Sequence, residues 1–362
     1  MAGERRKTEY DTVFTQGCLH PDYRDVMEYY EQGKVYTVQI ESNLACQQGC
    51  RYCYASADDQ PFRELPRKAV VAVLESAAKM GVRAIDWLGG DPLLRNDWYD
   101  LMAYAKSLHL ANNIWTSGIP LADPVTAARA VEASENGFIS VHLDSLNEEN
   151  YGRLHTGDAK RKIAAILQGV DTVQSLGKPT AEMINCITFT KPVAGEDVIR
   201  TIRFFDGEKG MRTCLTQMCL VGLAREHHDW VPGLDAVRDA CKHRDAINYP
   251  GSPFSMSSMD TTKFYCGTMI CVTIDGDVTP CSVIRVGFGN VHDRSLEAIV
   301  AEHRKDLLFC RLRNRENLPG HCAECDQSAV CWGCRATAYY ETGDIFASDP
   351  RCWRNREALQ RE

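Results

Sequence analysis

The chain has 362 residues, 44% apolar and 25% charged, with a formal net charge of −8, which suits one large domain with a smaller companion and a substantial core. The acidic balance argues against general nucleic-acid binding, which needs a basic surface, and no apolar run reaches the length of a membrane span. The N-terminal run MAGERRKTEYDTVF has no apolar segment behind its basic residues, so it does not read as a signal peptide and a cytoplasmic location is expected.

Residues 1–34 are polar, with a short helix expected around Asp22–Glu31. A strand–helix alternation then begins. Strands are predicted at Lys34–Glu41, Arg83–Leu88, Asn113–Thr116, Phe138–Leu143, Met183–Thr190 and Thr213–Val221. Helices are predicted at Leu65–Met80, Asp97–Leu108, Val125–Ala133, Lys160–Leu176 and Asp197–Phe205, from apolar residues at helical spacing and Gly or Pro stops. Six strands alternating with helices imply parallel pairing through right-handed crossovers, without separating a closed barrel from an open sheet. Either way the loops after the strands should carry the chemistry. Residues 223–262 read as a polar, irregular connector. Beyond Phe264 the chain is cysteine-rich, with a hairpin expected around Asp275-Gly276-Asp277 and a helix over Ser295–Cys310 capped by Ser295 or Asp293.

The chain has 17 cysteines, three of them between Cys46 and Cys53 and nine between Cys266 and Cys352. In a reduced compartment that number points to metal or catalysis rather than disulfides. Cys46-Gln-Gln-Gly-Cys50-Arg-Tyr-Cys53 follows directly on the first strand. Four thiolates saturate a 4Fe–4S cluster, whereas three leave one iron open to a small molecule. A zinc knuckle is the alternative, but zinc sites favour paired Cys-x-x-Cys with further Cys or His ligands.

The Cys-x-x-x-Cys-x-aromatic-Cys loop, with Tyr52 as the aromatic, resembles the signature of the radical S-adenosylmethionine (SAM) superfamily. The resemblance implies an α/β fold: a partial (β/α)6 barrel over residues 35–222, then a connector (223–262) and a small cysteine-rich domain (263–362). It implies that Cys46, Cys50 and Cys53 hold a cluster whose open iron binds SAM. Reductive cleavage of SAM then yields a 5′-deoxyadenosyl radical that takes a hydrogen atom from the substrate. Gly89-Gly90-Asp91-Pro92 resembles the family's Gly-Gly-Glu-Pro motif, its glycines allowing close backbone approach to a ligand. A carbonyl there, or the Asp91 carboxylate, would accept from the SAM ammonium. Thr116-Ser117-Gly118 resembles Thr-Asn-Gly, and His142-Leu-Asp144-Ser145 a Ser-x-Asp-Gly pattern. By this resemblance Ser117, His142 and Asp144 are candidate SAM contacts. Arg153 corresponds to a carboxylate-binding arginine displaced by one residue.

The pattern Cys266-x4-Cys271-x9-Cys281, then Cys322-x2-Cys325-x5-Cys331-x2-Cys334, then Cys352, resembles the SPASM domain of radical SAM enzymes, which carries two auxiliary 4Fe–4S clusters. Gly276-x4-Cys281, Phe288-Gly-Asn-Val291 and Asp349-Pro-x-Cys352 agree with it; Cys331-x2-Cys334 is one residue short of it. The resemblance assigns Cys266, Cys271, Cys281 and Cys334 to the first auxiliary cluster and Cys322, Cys325, Cys331 and Cys352 to the second. Two structural zinc sites would satisfy the same count. Cys18, Cys186, Cys214, Cys219, Cys241 and Cys310 fit neither pattern and read mainly as small core residues, although Cys186 and Cys214 or Cys219 lie on barrel strands that could face a substrate. His155, Glu226, His227 and His228 fall in predicted loops and read as solvated.

The resemblance implies an oxygen-sensitive oxidoreductase or maturase served by a flavodoxin- or ferredoxin-type reductant. The leading expectation is oxidation, cross-linking or decarboxylation of a ribosomally made peptide. About 34 residues precede the first predicted strand, which is short for a leader-binding domain and points to a separate peptide carrier or a small-molecule substrate (a carbohydrate or tetrapyrrole). An iron–sulfur electron carrier or a zinc module that never cleaves SAM is the reading from another class.

Overall fold

A computed structural model of the chain describes residues 23–57, 63–248, 250 and 262–355. Its centre is a sheet of six parallel strands: β1 (Thr37–Glu41), β2 (Ala84–Leu88), β3 (Ala111–Trp115), β4 (Ile139–His142), β5 (Met183–Phe189) and β6 (Arg212–Gln217). All five residues of β1 are buried, as expected for parallel strands covered on both faces. Helices α2 (Arg67–Lys79), α3 (Trp98–Ser107), α4 (Pro124–Ala133), α6 (Ala159–Ser175) and α7 (Glu196–Lys209) make the crossovers. The six strands and five helices lie within a few residues of their predicted places. Between β4 and α6 there is also a short helix, α5 (Glu148–Leu154), absent from the sequence reading.

The sheet does not close on itself: β6 is one end of the order β6-β5-β4-β3-β2-β1-β7-β8. The hairpin of the cysteine-rich region supplies β7 (Met269–Val272) and β8 (Val278–Thr279), with β7 running parallel to β1. Inward side chains from each of the six parallel strands nevertheless line one cavity, so the sheet is curled into a partial barrel.

The stretch expected to be an irregular connector contains a 15-residue helix, α8 (Leu234–Asn248). Its buried positions Val237, Ala240, Cys241, Arg244 and Asn248 keep helical spacing, but two of them are polar, which hid the apolar stripe. Helix α1 (Tyr23–Gln32), near its predicted place, packs on the cysteine-rich end of the chain: the Tyr30 ring meets Phe264 edge-on at 5.0 Å and lies under the Arg313 guanidinium at 4.3 Å. After the short helix α9 (Lys263–Cys266) and the hairpin, α10 (Leu296–Leu307) is capped by Ser295, whose Oγ accepts from Ala298 N at 3.3 Å. Helices α11 (His321–Glu324) and α12 (Arg335–Thr342) complete the described chain.

Two buried polar links lock the cysteine-rich region to the barrel. Tyr265 OH donates to Asp86 at 2.5 Å, and Asp86 also accepts from Asn113 Nδ2 and Gln39 Nε2. At the end of β1, Glu41 is fully buried and paired bidentately with Arg285 at 2.8 and 2.9 Å. A hydrogen bond to a buried carboxylate is worth about 1.5–3 kcal/mol. Tyr265→Phe is therefore expected to cost about that much stability, read as a lowered urea midpoint under anaerobic conditions. An unchanged midpoint would show that this link carries no load.

Candidate active site

The cysteine loop leaves β1 and is held by backbone contacts from neighbouring strand ends. Gly90 N and Asp91 N donate to the Asn43 and Ala45 carbonyls at 2.7 and 2.6 Å. A Cβ on Gly90 would stand 2.1 Å from the Ala45 oxygen, and one on Gly89 (φ +134°) equally close to the Asn43 oxygen. These glycines are needed first because another stretch of chain lies against them; they also line the cavity. On the far side, Leu223 N donates to the Cys53 carbonyl at 3.0 Å.

The Asp91 carboxylate is fully buried and turned into the protein. It accepts from Thr116 Oγ1, Ser117 N, Ser117 Oγ and Leu93 N at 2.6–3.2 Å. It positions the loop after β3 and is not on the cavity wall, which corrects its reading as an acceptor for a ligand ammonium. Ser117 lines the cavity, and the backbone of Gly89 and Gly90 is what this motif presents to it. Pro92 is buried at the start of a short 3-10 turn.

Asp144 is also fully buried and turned inward. Tyr52 OH donates to its Oδ2, His155 Nε2 lies 2.8 Å from the same oxygen, His142 Nε2 is 3.1 Å from Oδ1, and Thr188 N donates to Oδ1 at 2.8 Å. His142 Nε2 is also 2.8 Å from Tyr52 OH. His142 and Tyr52 line the cavity; Asp144 does not. His155, read from sequence as a solvated loop residue, is 1% exposed, stacked on Tyr151 and bridged to Cys50 through the backbone. Nothing local in the sequence marks it, because its partner Asp144 is eleven residues away across a helix. Glu226 and His228 are exposed, and His227 stacks on Trp230. Arg153 on α5 is exposed, paired with Glu149 one turn earlier, and does not line the cavity, away from the place expected of a carboxylate-binding arginine.

Burial works against charge on His142, but the Asp144 carboxylate outweighs it and raises the pKa to about 10. For Asp144, burial is overcome by the charge and hydrogen bonds of His142 and His155, which hold it well below the usual carboxylate range. His155 is lowered by burial and stays neutral.

Cys46, Cys50 and Cys53 share one cavity of about 310 Å³ with Cys266, Cys281 and Cys334. Cys322 and Cys352 lie beside Cys331 at the outer end of the cysteine-rich region. Cys271 is completely buried in β7. Of the unassigned cysteines, Cys186, Cys214 and Cys219 line the cavity, Cys241 is buried in α8, Cys310 is half-buried, and Cys18 lies outside the described residues.

Two family models match the sequence. One, described as the radical SAM superfamily, covers residues 40–205, and the other, the SPASM iron–sulfur cluster-binding domain, covers residues 264–326. The chain carries a radical SAM domain followed by a SPASM domain. It is 27% identical over 331 residues to the PqqA peptide cyclase of Gluconobacter oxydans, covering 85% of this chain and 87% of that protein. It is 25% identical over 354 residues to the AdoMet-dependent heme synthase of Nitratidesulfovibrio vulgaris, covering 86% and 90%. The crystal structure of Streptococcus suis SuiB bound to S-adenosylmethionine superposes with a TM-score of 0.64 at 17% identity, over 91% of this chain and 81% of that one. Native anSMEcpe with bound AdoMet and Cp18Cys peptide gives 0.65 at 14% identity, over 90% and 96%. These two likenesses show a shared fold.

This radical SAM protein is an enzyme, and its cofactors are SAM and iron–sulfur clusters. The thiols fit that chemistry. Burial pushes Cys46 and Cys331 up to about 12 and Cys281 up to about 11, so thiolates persist there only with a positive partner such as cluster iron. Backbone N–H groups already point at the sulfurs: Ala57 at Cys53, Val283 at Cys281, Gln327 at Cys325 and Gly333 at Cys331, at 3.3–3.5 Å. The short Cys331-x2-Cys334 spacing closes through Gly333 at φ +73°, packed against Asp349, which accepts from Cys334 N at 2.9 Å.

Gly90→Ala is expected to push the 43–45 backbone and cost about 1–3 kcal/mol, the usual penalty of overpacking. The cluster on Cys46, Cys50 and Cys53 should be lost or reduced while the auxiliary clusters remain. Electron paramagnetic resonance with and without SAM reads this, and a full SAM-responsive signal would refute the seating argument.

Proposed function

We propose that the enzyme uses SAM cleavage at the cluster on Cys46, Cys50 and Cys53 to remove a hydrogen atom from a peptide substrate, which is thereby oxidised, cross-linked or decarboxylated. The carrying observation is the cavity itself. It brings the thiols of Cys46, Cys50 and Cys53 and those of Cys266, Cys281 and Cys334 onto one partly open space, which a peptide side chain can enter from outside. The similarity to a PqqA peptide cyclase and the fold shared with SuiB, also crystallised with its precursor peptide SuiA, support the same reading.

With cluster and SAM bound, this chemistry supplies a carbon-centred radical. The chain's own residues orient the partners. Tyr52 and His142, tied to Asp144, fix one wall, and Gly89, Gly90 and Ser117 fix another. Buried side chains such as Met218 and Phe309 keep water from the reacting end. The cysteines between Cys266 and Cys352 would hold the auxiliary clusters, which would supply an acceptor for the electron left after hydrogen abstraction. A flavodoxin- or ferredoxin-type protein supplies the reducing electron, in the cytoplasm. The specific observation behind a second reading, a tetrapyrrole substrate, is the similarity to heme synthases.

The test is anaerobic turnover with SAM and reductant, offering in parallel the short peptides encoded beside the gene and a tetrapyrrole carrying propionates. Mass loss on a peptide is the expected outcome. Turnover of the tetrapyrrole with every peptide untouched would overturn the proposal. Separately, Cys322→Ala with Cys325→Ala should abolish product while 5′-deoxyadenosine formation continues at a reduced level. Full product from that variant would remove the auxiliary clusters from the electron path.

A further inference from the structure

More cysteines gather around the first auxiliary site than one cluster can use. Cys266, Cys281 and Cys334 line the cavity, and so does Cys219, two residues past the end of β6. The Cys219 thiol is hydrogen-bonded to that of Cys334, and Cys281 and the Arg351 guanidinium are close by. Its backbone is fixed on both sides. Arg351 donates to the Met218 carbonyl, and Val221 N donates to the Cys219 carbonyl at 2.8 Å. Gly222 then turns at φ +60°, where a Cβ would stand 2.4 Å from the Cys53 and Tyr54 carbonyl oxygens. The segment carrying Cys219 is thus wedged between the SAM-binding loop and the SPASM domain.

Cys271 is placed differently. It lies in the middle of β7, between Gln39 of β1 and Thr279 of β8, with no exposure. It is not on the cavity wall. Its thiol bonds to Thr279, and the groups around it are the paired Glu41 and Arg285, with Cys281 the nearest cluster cysteine. A cubane needs its four thiolates at the corners of one cluster. Three would be Cys266, Cys281 and Cys334, and Cys219 stands beside Cys334 on the same cavity wall, with Cys281 near it.

We propose that Cys219, carried by the radical SAM barrel, and not Cys271 of the SPASM domain, is the fourth ligand of the first auxiliary cluster. The cluster is then held across the domain boundary, with one thiolate on the strand end that walls the substrate cavity. This rests on the reading of the SPASM cysteines as cluster ligands.

The test compares anaerobically reconstituted wild-type, Cys219→Ala and Cys271→Ala enzymes by iron content and Mössbauer and paramagnetic resonance spectra. The wild type should hold about twelve irons, for three 4Fe–4S clusters. Cys219→Ala should lose between about one and about four of them, or change one auxiliary signal to that of a site-opened or 3Fe–4S cluster. The SAM-responsive signal should persist, and Cys271→Ala should match the wild type. Cys219→Ala with iron and spectra identical to wild type overturns the proposal. A wild type holding only about four irons overturns the underlying cluster reading as well. Should Cys219→Ala fail to fold, thiol alkylation of the unmutated enzyme decides the matter. Cys219 should be protected with clusters in place and labelled after their removal, with Cys310 labelled in both forms. Equal labelling of Cys219 in the two forms overturns the proposal.

Discussion

A carboxylate with no access to water, Asp144, organises the catalytic end of this molecule. Burying a charge is costly unless it is paired and hydrogen-bonded. Asp144 meets that condition by gathering Tyr52 from the cysteine loop, His142 from β4, His155 from the segment after α5 and a backbone N–H from β5. The same contacts that stabilise the charge pin the cysteine loop to the barrel. They also favour the protonated form of His142, which lines the cavity beside the cysteine loop. Loss of Asp144 would leave two histidines and a tyrosine facing a vacancy, and the loop would lose its anchor on that side.

A similar logic governs the join between barrel and SPASM domain. β7 extends the barrel sheet along β1, the strand that leads into Cys46. Asp86 and Glu41, both buried, take Tyr265 and Arg285 from the SPASM domain as their partners. The auxiliary cysteines are therefore registered against the strand that feeds the SAM-binding loop. A shared sheet with two buried polar locks holds the two cysteine regions at a fixed separation more rigidly than a linker would.

Much of this was legible in the sequence. Strand and helix periodicity gave the six-fold alternation, because parallel strands covered on both faces read as continuous apolar runs. The cysteine spacings marked two groups that the fold brings onto one cavity, Cys46, Cys50 and Cys53 with Cys266, Cys281 and Cys334. What stayed hidden has a common cause: a buried polar residue whose partner is distant. Asp91 and Asp144 looked like ligand contacts, yet each is consumed by protein donors. His155 looked solvated, yet it is buried against Asp144. Helix α8 looked irregular because Arg244 and Asn248 occupy its inner face. Gly89 and Gly90 were read for closeness to a ligand, whereas the nearest neighbour is the backbone of Asn43 and Ala45.

The distribution of inward and outward carboxylates bears on how substrate range evolves on such a barrel. Asp91 and Asp144 are spent on protein contacts, and changing Asp144 would loosen the cysteine loop through Tyr52. The opposite wall is built differently. There β5 and β6 present Cys186, Thr188, Cys214 and Thr216, of which Cys186 bonds to His142 and Thr188 gives its backbone N–H to Asp144. Cys186 touches Cys214 across the two strands, and this contact lowers its pKa. Substitutions of Cys214 and Thr216 change the shape and polarity of the cavity there, whereas a change at Cys186 also removes a partner of His142. On this barrel the wall from β6 can vary while Tyr52, His142 and Asp144 keep the cysteine loop in place.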